Sequence, residues 1–189
     1  MMNKLVIIFL LLCLSISSYA QRASTGQSSL GAGFAFIDGF HLEKKSSSYA
    51  IQLNYSLYRR TGTIDVDLIY LRNTDTYSSY IIPIENYLLA AGYKWRIFQT
   101  YTRKFILSAG MSAIFGYEIA NQSDNKLAEG IYISSKNKIA WGIMPGFRME
   151  YFACKRLAIF TSLQETLNFN SDMTINHTLF SVGLKYLIN

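Results

Sequence analysis

Cysteine and histidine are nearly missing from this chain: Cys13, Cys154, His41 and His177 are all that 189 residues contain. With Cys13 in a segment read below as removed, a single thiol remains, so no internal disulfide can form. Two distant imidazoles and one thiol do not make a metal ligand set, and no cofactor is expected. The glycines near Gly31 and Gly33 fall inside a strand pattern, so no phosphate-cradling loop is read there. Beyond the first twenty residues no apolar run reaches the roughly 18 residues of a spanning helix. Proline is limited to two positions and charged residues to 16% of the chain. The 14 Tyr and 12 Phe are plentiful by contrast, and that balance describes a β-rich aromatic protein rather than a helical one.

The amino terminus reads as a signal peptide. Lys4 precedes the apolar run from Leu5 to Leu14, and a small-residue stretch ends at Ser18-Tyr19-Ala20, with cleavage expected after Ala20. Leu12 is bulkier than the residue lipoprotein processing requires before a cysteine, so Cys13 belongs to the discarded segment. Residues 21–189 then form one domain.

A period of two runs through that domain. From Phe105 to Tyr117 the odd positions are Phe, Leu, Ala, Met, Ala, Phe and Tyr, while the even ones include Ser108, Gly110, Ser112 and Gly116. Similar alternation starts at Ser28, Tyr49, Ile64, Tyr87, Ile139, Leu157 and Phe180, which makes eight strands. Pro145 marks a bulge or a locally unpaired position in the sixth. Phe160 and Glu165 fit no single parity in the seventh, which predicts a bulge there. A soluble β fold would cover its outer face with Lys, Glu and Thr; here the less apolar face is mainly Gly, Ala, Ser and Asn, which suits a narrow barrel interior. The connections after strands one, three, five and seven read as long, about ten residues or more, and the other three as short. The fold expected is an all-β, eight-stranded antiparallel transmembrane barrel, with long external loops and short periplasmic turns. Trp95, Phe105, Tyr151 and Tyr186 would form the periplasmic aromatic girdle, and Tyr49, Tyr70, Tyr117, Trp141 and Phe180 the outer one.

A barrel of this size is filled by side chains, which argues against a porin. Strand parity points Asp65, Asp67, Lys94, Arg148, Glu150 and Lys185 inward, where buried charges must pair. The result is either a structural plug or a gated polar path. Each short turn carries a basic pair: Arg59 and Arg60, Arg103 and Lys104, Lys155 and Arg156. These cations either snorkel toward phospholipid head groups of the outer membrane or dock an acidic periplasmic partner; direct nucleic-acid binding is not expected. Lipid-modifying chemistry would have to use His41 with Asp38 and Ser46 to Ser48, or His177 with Asp172 and Ser171, all placed in external loops. Their spacing is that of ordinary loops, so no enzyme is expected.

The signal peptide followed by Gln21-Arg22, the Phe115-Gly116-Tyr117-Glu118 strand end, Gly142, the run Gly146-Phe147-Arg148-Met149-Glu150-Tyr151 and the closing Gly183-Leu184-Lys185-Tyr186-Leu187 carry a family likeness. Over most of the mature chain they resemble the conjugative transposon TraO proteins of Bacteroidetes. The resemblance implies an outer-membrane component of a conjugative transfer apparatus, acting beside other transfer proteins; the strand reading adds that the loop from Ile119 to Lys138 would face outward toward a recipient cell. It implies no catalytic or ligand-binding residues. A general surface barrel for adhesion or envelope integrity is the alternative reading.

Overall fold

The computed structural model describes residues 24–38, 48–77, 80–120, 138–170 and 176–188. Eight strands follow in order: β1 (Ser28–Ile37), β2 (Tyr49–Tyr58), β3 (Gly62–Tyr77), β4 (Tyr80–Gln99), β5 (Phe105–Ala120), β6 (Lys138–Phe152), β7 (Leu157–Asn168) and β8 (Asn176–Ile188). Each pairs antiparallel with its chain neighbour, and β1 pairs with β8 through Ser28 to Ile37, so the sheet closes into a barrel. Closure leaves the sheet no open edge along these ladders. Among the described residues there is no helix long and apolar enough to cross a membrane, a fact that does not bear on crossing by strands.

Strand alternation decides what faces outward. Leu53, Leu68, Leu89 and Phe115 form one continuous row across β2 to β5, each between 44% and 60% exposed. Water would not tolerate so broad an apolar belt on a monomeric protein, whereas hydrocarbon would. Aromatic side chains bound the belt at both levels. Tyr49, Tyr70 and Tyr87 stand in sequence around the rim of the long connections, with ring centroids 6.4 and 5.2 Å apart. Tyr93 and Trp95 at 5.3 Å, and Phe98 and Phe105 at 6.2 Å, lie toward the short turns.

Several elements depart from expectation. The connection after β3 is not long: β3 and β4 continue to Tyr77 and Tyr80, paired throughout. The connection after β7 is also shorter than expected, because β8 begins at Asn176. Strand β7 keeps one register along its whole length and contains no bulge; Phe160 points inward and Glu165 outward on a regular alternation. The irregularity sits in β4, where the register with β5 shifts between Arg96 and Phe98. Pro145 pairs with Met111 on one side, while the ladder to β7 skips Met144 and Pro145. The segment read as a signal peptide, His41 with Ser46 and Ser47, residues 121–137, and Ser171 and Asp172 lie outside the described residues.

Candidate functional site

The interior is layered. Next to the short turns, Tyr58, Ile106, Phe152, Ala158 and Leu187 form an apolar floor. Farther along, Ile69, Leu71, Leu88, Ile114, Met144 and Leu179 belong to a second apolar layer. On every strand that carries both, the charged residues lie between these two layers. All six residues read from parity are there: Asp65, Asp67, Lys94, Arg148, Glu150 and Lys185, none more than 2% exposed.

The structure brings the six into one connected group. Lys94 Nζ donates to Asp65 Oδ2 at 2.8 Å, and Arg148 Nη1 lies 2.8 Å from the same oxygen. Arg148 Nη2 is 3.6 Å from Asp67 Oδ1, and the Asn54 amide donates to that carboxylate. Lys185 Nζ donates to Ser56 Oγ at 2.8 Å and pairs with Glu150, whose other oxygen accepts from the Tyr58 hydroxyl at 3.2 Å. Ser56 also donates to Asp65, which joins the two halves. Three carboxylates face three cations, so the layer is neutral. The Arg148 contacts are ionic in distance but lack hydrogen-bond alignment, so its role is mainly coulombic.

Phe160, which fits no alternation of apolar residues outward, is explained by this layer. Its ring occupies the space left by the cross-strand glycines Gly33 and Gly183: a Cβ on Gly33 would stand 2.8 Å from Phe160 Cζ, and one on Gly183 2.5 Å from Cε1. The Arg148 guanidinium carbon and Lys185 Nζ each stand 5.5 Å from the ring centre, within cation–π range. Sequence reading missed this residue's role, although glycines at matching register on the next two strands, Gly183 on β8 and Gly33 on β1, were its signal.

At the rim of the long connections, His177 is a strand residue of β8, not a loop residue. It is 2% exposed and its Nδ1 lies 2.8 Å from Asp38 Oδ2. The other Asp38 oxygen accepts from the Thr178 backbone N–H at 2.9 Å, and Asp38 N donates to Thr178 O at 2.8 Å. Asp38 adopts a positive φ of 54°, a conformation Asp tolerates better than most residues. This pairing clasps the β1–β8 seam. On the neighbouring strand Thr166 Oγ1 accepts from the His177 backbone N–H and donates to the His177 carbonyl, both at 3.2 Å. Among the described residues no group of His, Cys, Asp and Glu could hold a metal.

The three basic pairs gather at the opposite end. Arg59 and Arg60 lie between β2 and β3, Arg103 and Lys104 between β4 and β5, and Lys155 and Arg156 between β6 and β7. Arg96 joins the first pair by donating to Arg59 O at 3.2 Å and Arg60 O at 3.4 Å. Arg103 has a positive φ of 54°, where glycine would be less strained.

The model of the family described as "Conjugative transposon protein TraO" matches residues 26–188. A comparison with curated proteins gave no match. Among solved structures the chain is similar to Ail, the attachment invasion locus protein of Yersinia pestis, with a TM-score of 0.57 and 16% identity, covering 87% of this chain and 100% of that one. It is similar to Neisserial surface protein A with a TM-score of 0.57, 13% identity and coverage of 86% and 97%. The N-terminal β-barrel domain of Pseudomonas aeruginosa OprF gives 0.57 at 8% identity, covering 87% and 98%. At such identities these likenesses establish the fold.

Proposed function

The chain belongs to the conjugative transposon TraO family, and from that premise we propose that it is an outer-membrane barrel of a conjugative transfer apparatus, with a structural and interaction role. The observation that carries this reading is the occluded interior. An ion-paired layer held between two apolar layers offers no continuous aqueous path, so the barrel contributes its rims and its surface rather than its lumen. The apolar belt with two aromatic levels supports placement in a bilayer, and the fold shared with the outer membrane protein OprG of Pseudomonas aeruginosa supports the outer membrane. The short turns face the periplasm in this reading, and the opposite rim, where Asp38 meets His177, faces outward. The signal peptide is removed after Ala20, and the protein has no enzymatic activity of its own.

Affinity purification from native membranes tests the proposal. Products of neighbouring transfer genes should co-purify, and deletion of this gene should lower transfer frequency. Normal transfer without the protein, together with no co-purifying transfer component, would refute it. The likeness to an attachment protein, Ail, favours a surface barrel for adhesion as a second reading; adherence of cells that lose and regain the gene separates the two.

A further inference from the structure

The basic end of the barrel is built where lipid phosphates would lie. Trp95 is 57% exposed on the outer wall and pairs with Gly62, next to the Arg59–Thr61 turn. The Tyr93 hydroxyl is 2.7 Å from Thr61 Oγ1. One strand residue advances about 3.4 Å, so the guanidinium of Arg96 and the backbone of Arg59 and Arg60 sit within a few ångströms of the girdle's depth. Interfacial Trp and Tyr rest at head-group level.

The same pattern recurs at the other turns. Arg156 Nη1 donates to the hydroxyl of outward-facing Tyr186 at 3.1 Å. Arg103 and Lys104 lie between Tyr101, which is 96% exposed, and Phe105, whose ring packs against Phe98. No Asp or Glu occurs in residues 24–28, 59–61, 96–104 or 153–156. Arg96 donates to the Arg59 and Arg60 carbonyls, with a further contact to Gln99 Oε1 at 3.1 Å, so its positive charge sits beside the turn that carries two more arginines and no acid. Like charges gathered in this way repel one another unless an anion joins them.

We propose that the turn end is a binding ring for anionic phospholipid head groups, with the Arg59, Arg60 and Arg96 cluster as its strongest site. Guanidinium groups provide the forked donors that match phosphate oxygens, and the adjacent aromatic rings and apolar belt accommodate the glycerol and acyl chains of the same lipid. The proposal rests on the membrane placement above, but the two can fail separately.

The mature protein is inserted into vesicles of phosphatidylcholine alone and of phosphatidylcholine with a minority of phosphatidylglycerol. Insertion into the first lipid tests membrane placement by itself. Native mass spectrometry after extraction from the mixed bilayer then counts retained lipids. The wild type should be enriched in phosphatidylglycerol, and R59Q/R60Q should lower that enrichment roughly fivefold or more, the effect of losing at least one interfacial cation. Should R59Q/R60Q fail to insert, K155Q/R156Q serves in its place, with a smaller decrease. Inorganic phosphate added to the wild type in neutral micelles should not reproduce the stabilisation that phosphatidylglycerol gives; equal stabilisation by both would show a site for free anions. No enrichment in the wild type, or equal enrichment in the variants, would overturn the proposal and leave the basic end to an acidic protein.

Discussion

Replacing Arg148 with methionine isolates what the interior charges contribute. The side chain is 1% exposed and stands 2.8 Å from Asp65 and 3.6 Å from Asp67. Asp65 would keep Lys94 at 2.8 Å and the Ser56 hydroxyl, but Asp67 would keep only the Asn54 amide among the contacts described above. The layer would then carry one uncompensated negative charge between two apolar layers. Removing one member of a buried ion pair costs about 3–5 kcal/mol, and the methionine recovers part of this by packing on Phe160. The readout is urea unfolding in phospholipid vesicles, followed by the emission of Trp95 and Trp141, both on the outer wall and more than half exposed. The second arm is Asp67→Asn in the Arg148→Met background, which restores neutrality. That double variant should be more stable than Arg148→Met alone, with a coupling of about 1 kcal/mol or more between the two sites. An Arg148→Met protein as stable as the wild type, or a double variant whose loss is the plain addition of the two single losses, would refute the view that these charges balance one another.

Three further outcomes follow from the same geometry. Leu68→Arg, in the middle of the outward apolar row, should lower stability in bilayers by about 2–4 kcal/mol; an unchanged unfolding midpoint would mean that this face does not meet hydrocarbon. Gly33→Val should push the Phe160 ring from its place and cost about 1–3 kcal/mol through overpacking, seen as a lower temperature at which the folded band is lost in gel electrophoresis; an unshifted temperature would count against the glycine-lined seat. Asp38→Ala should leave the His177 ring and the Thr178 N–H without their acceptor, costing about 1–3 kcal/mol, with faster amide exchange in β1 and β8 than in β4 and β5; uniform exchange would show that the clasp contributes nothing to the seam.

The parts legible in the sequence are those where one face meets lipid. Alternation at Tyr49 to Leu57 and Phe105 to Tyr117 placed those strands, and strand parity alone placed six interior charges from four strands in one layer. The signal weakens where the outer face stops being apolar. Arg72 and Asn73 look like a loop, yet they remain paired with Glu85 and Ile84, because backbone hydrogen bonds continue past the belt. His177 was misplaced for the same reason, since its neighbours Asn176 and Thr178 are polar. The two apolar interior layers were hidden differently. At Ile69-Tyr70-Leu71 and Tyr87-Leu88-Leu89 both faces are apolar, so alternation conveys nothing there, and only the closed barrel separates the residues that face inward from those that face lipid. The register shift near Ile97 left both Ile97 and Phe98 on the outside, which a strict period of two cannot represent.

Seven of the eight ladders join strands that are neighbours in the chain, but the eighth joins Ser28 to Ile188 and Ile37 to Leu179. Assembly therefore cannot finish until the last thirteen residues of strand have arrived. A polypeptide halted before Asn176 would present β1 and β7 to hydrocarbon with rows of unmatched amides and carbonyls, at several kcal/mol for each group. Ring closure thus acts as a length check: only a chain that carries β8 can pair both β1 and β7 and leave no strand edge open to the bilayer.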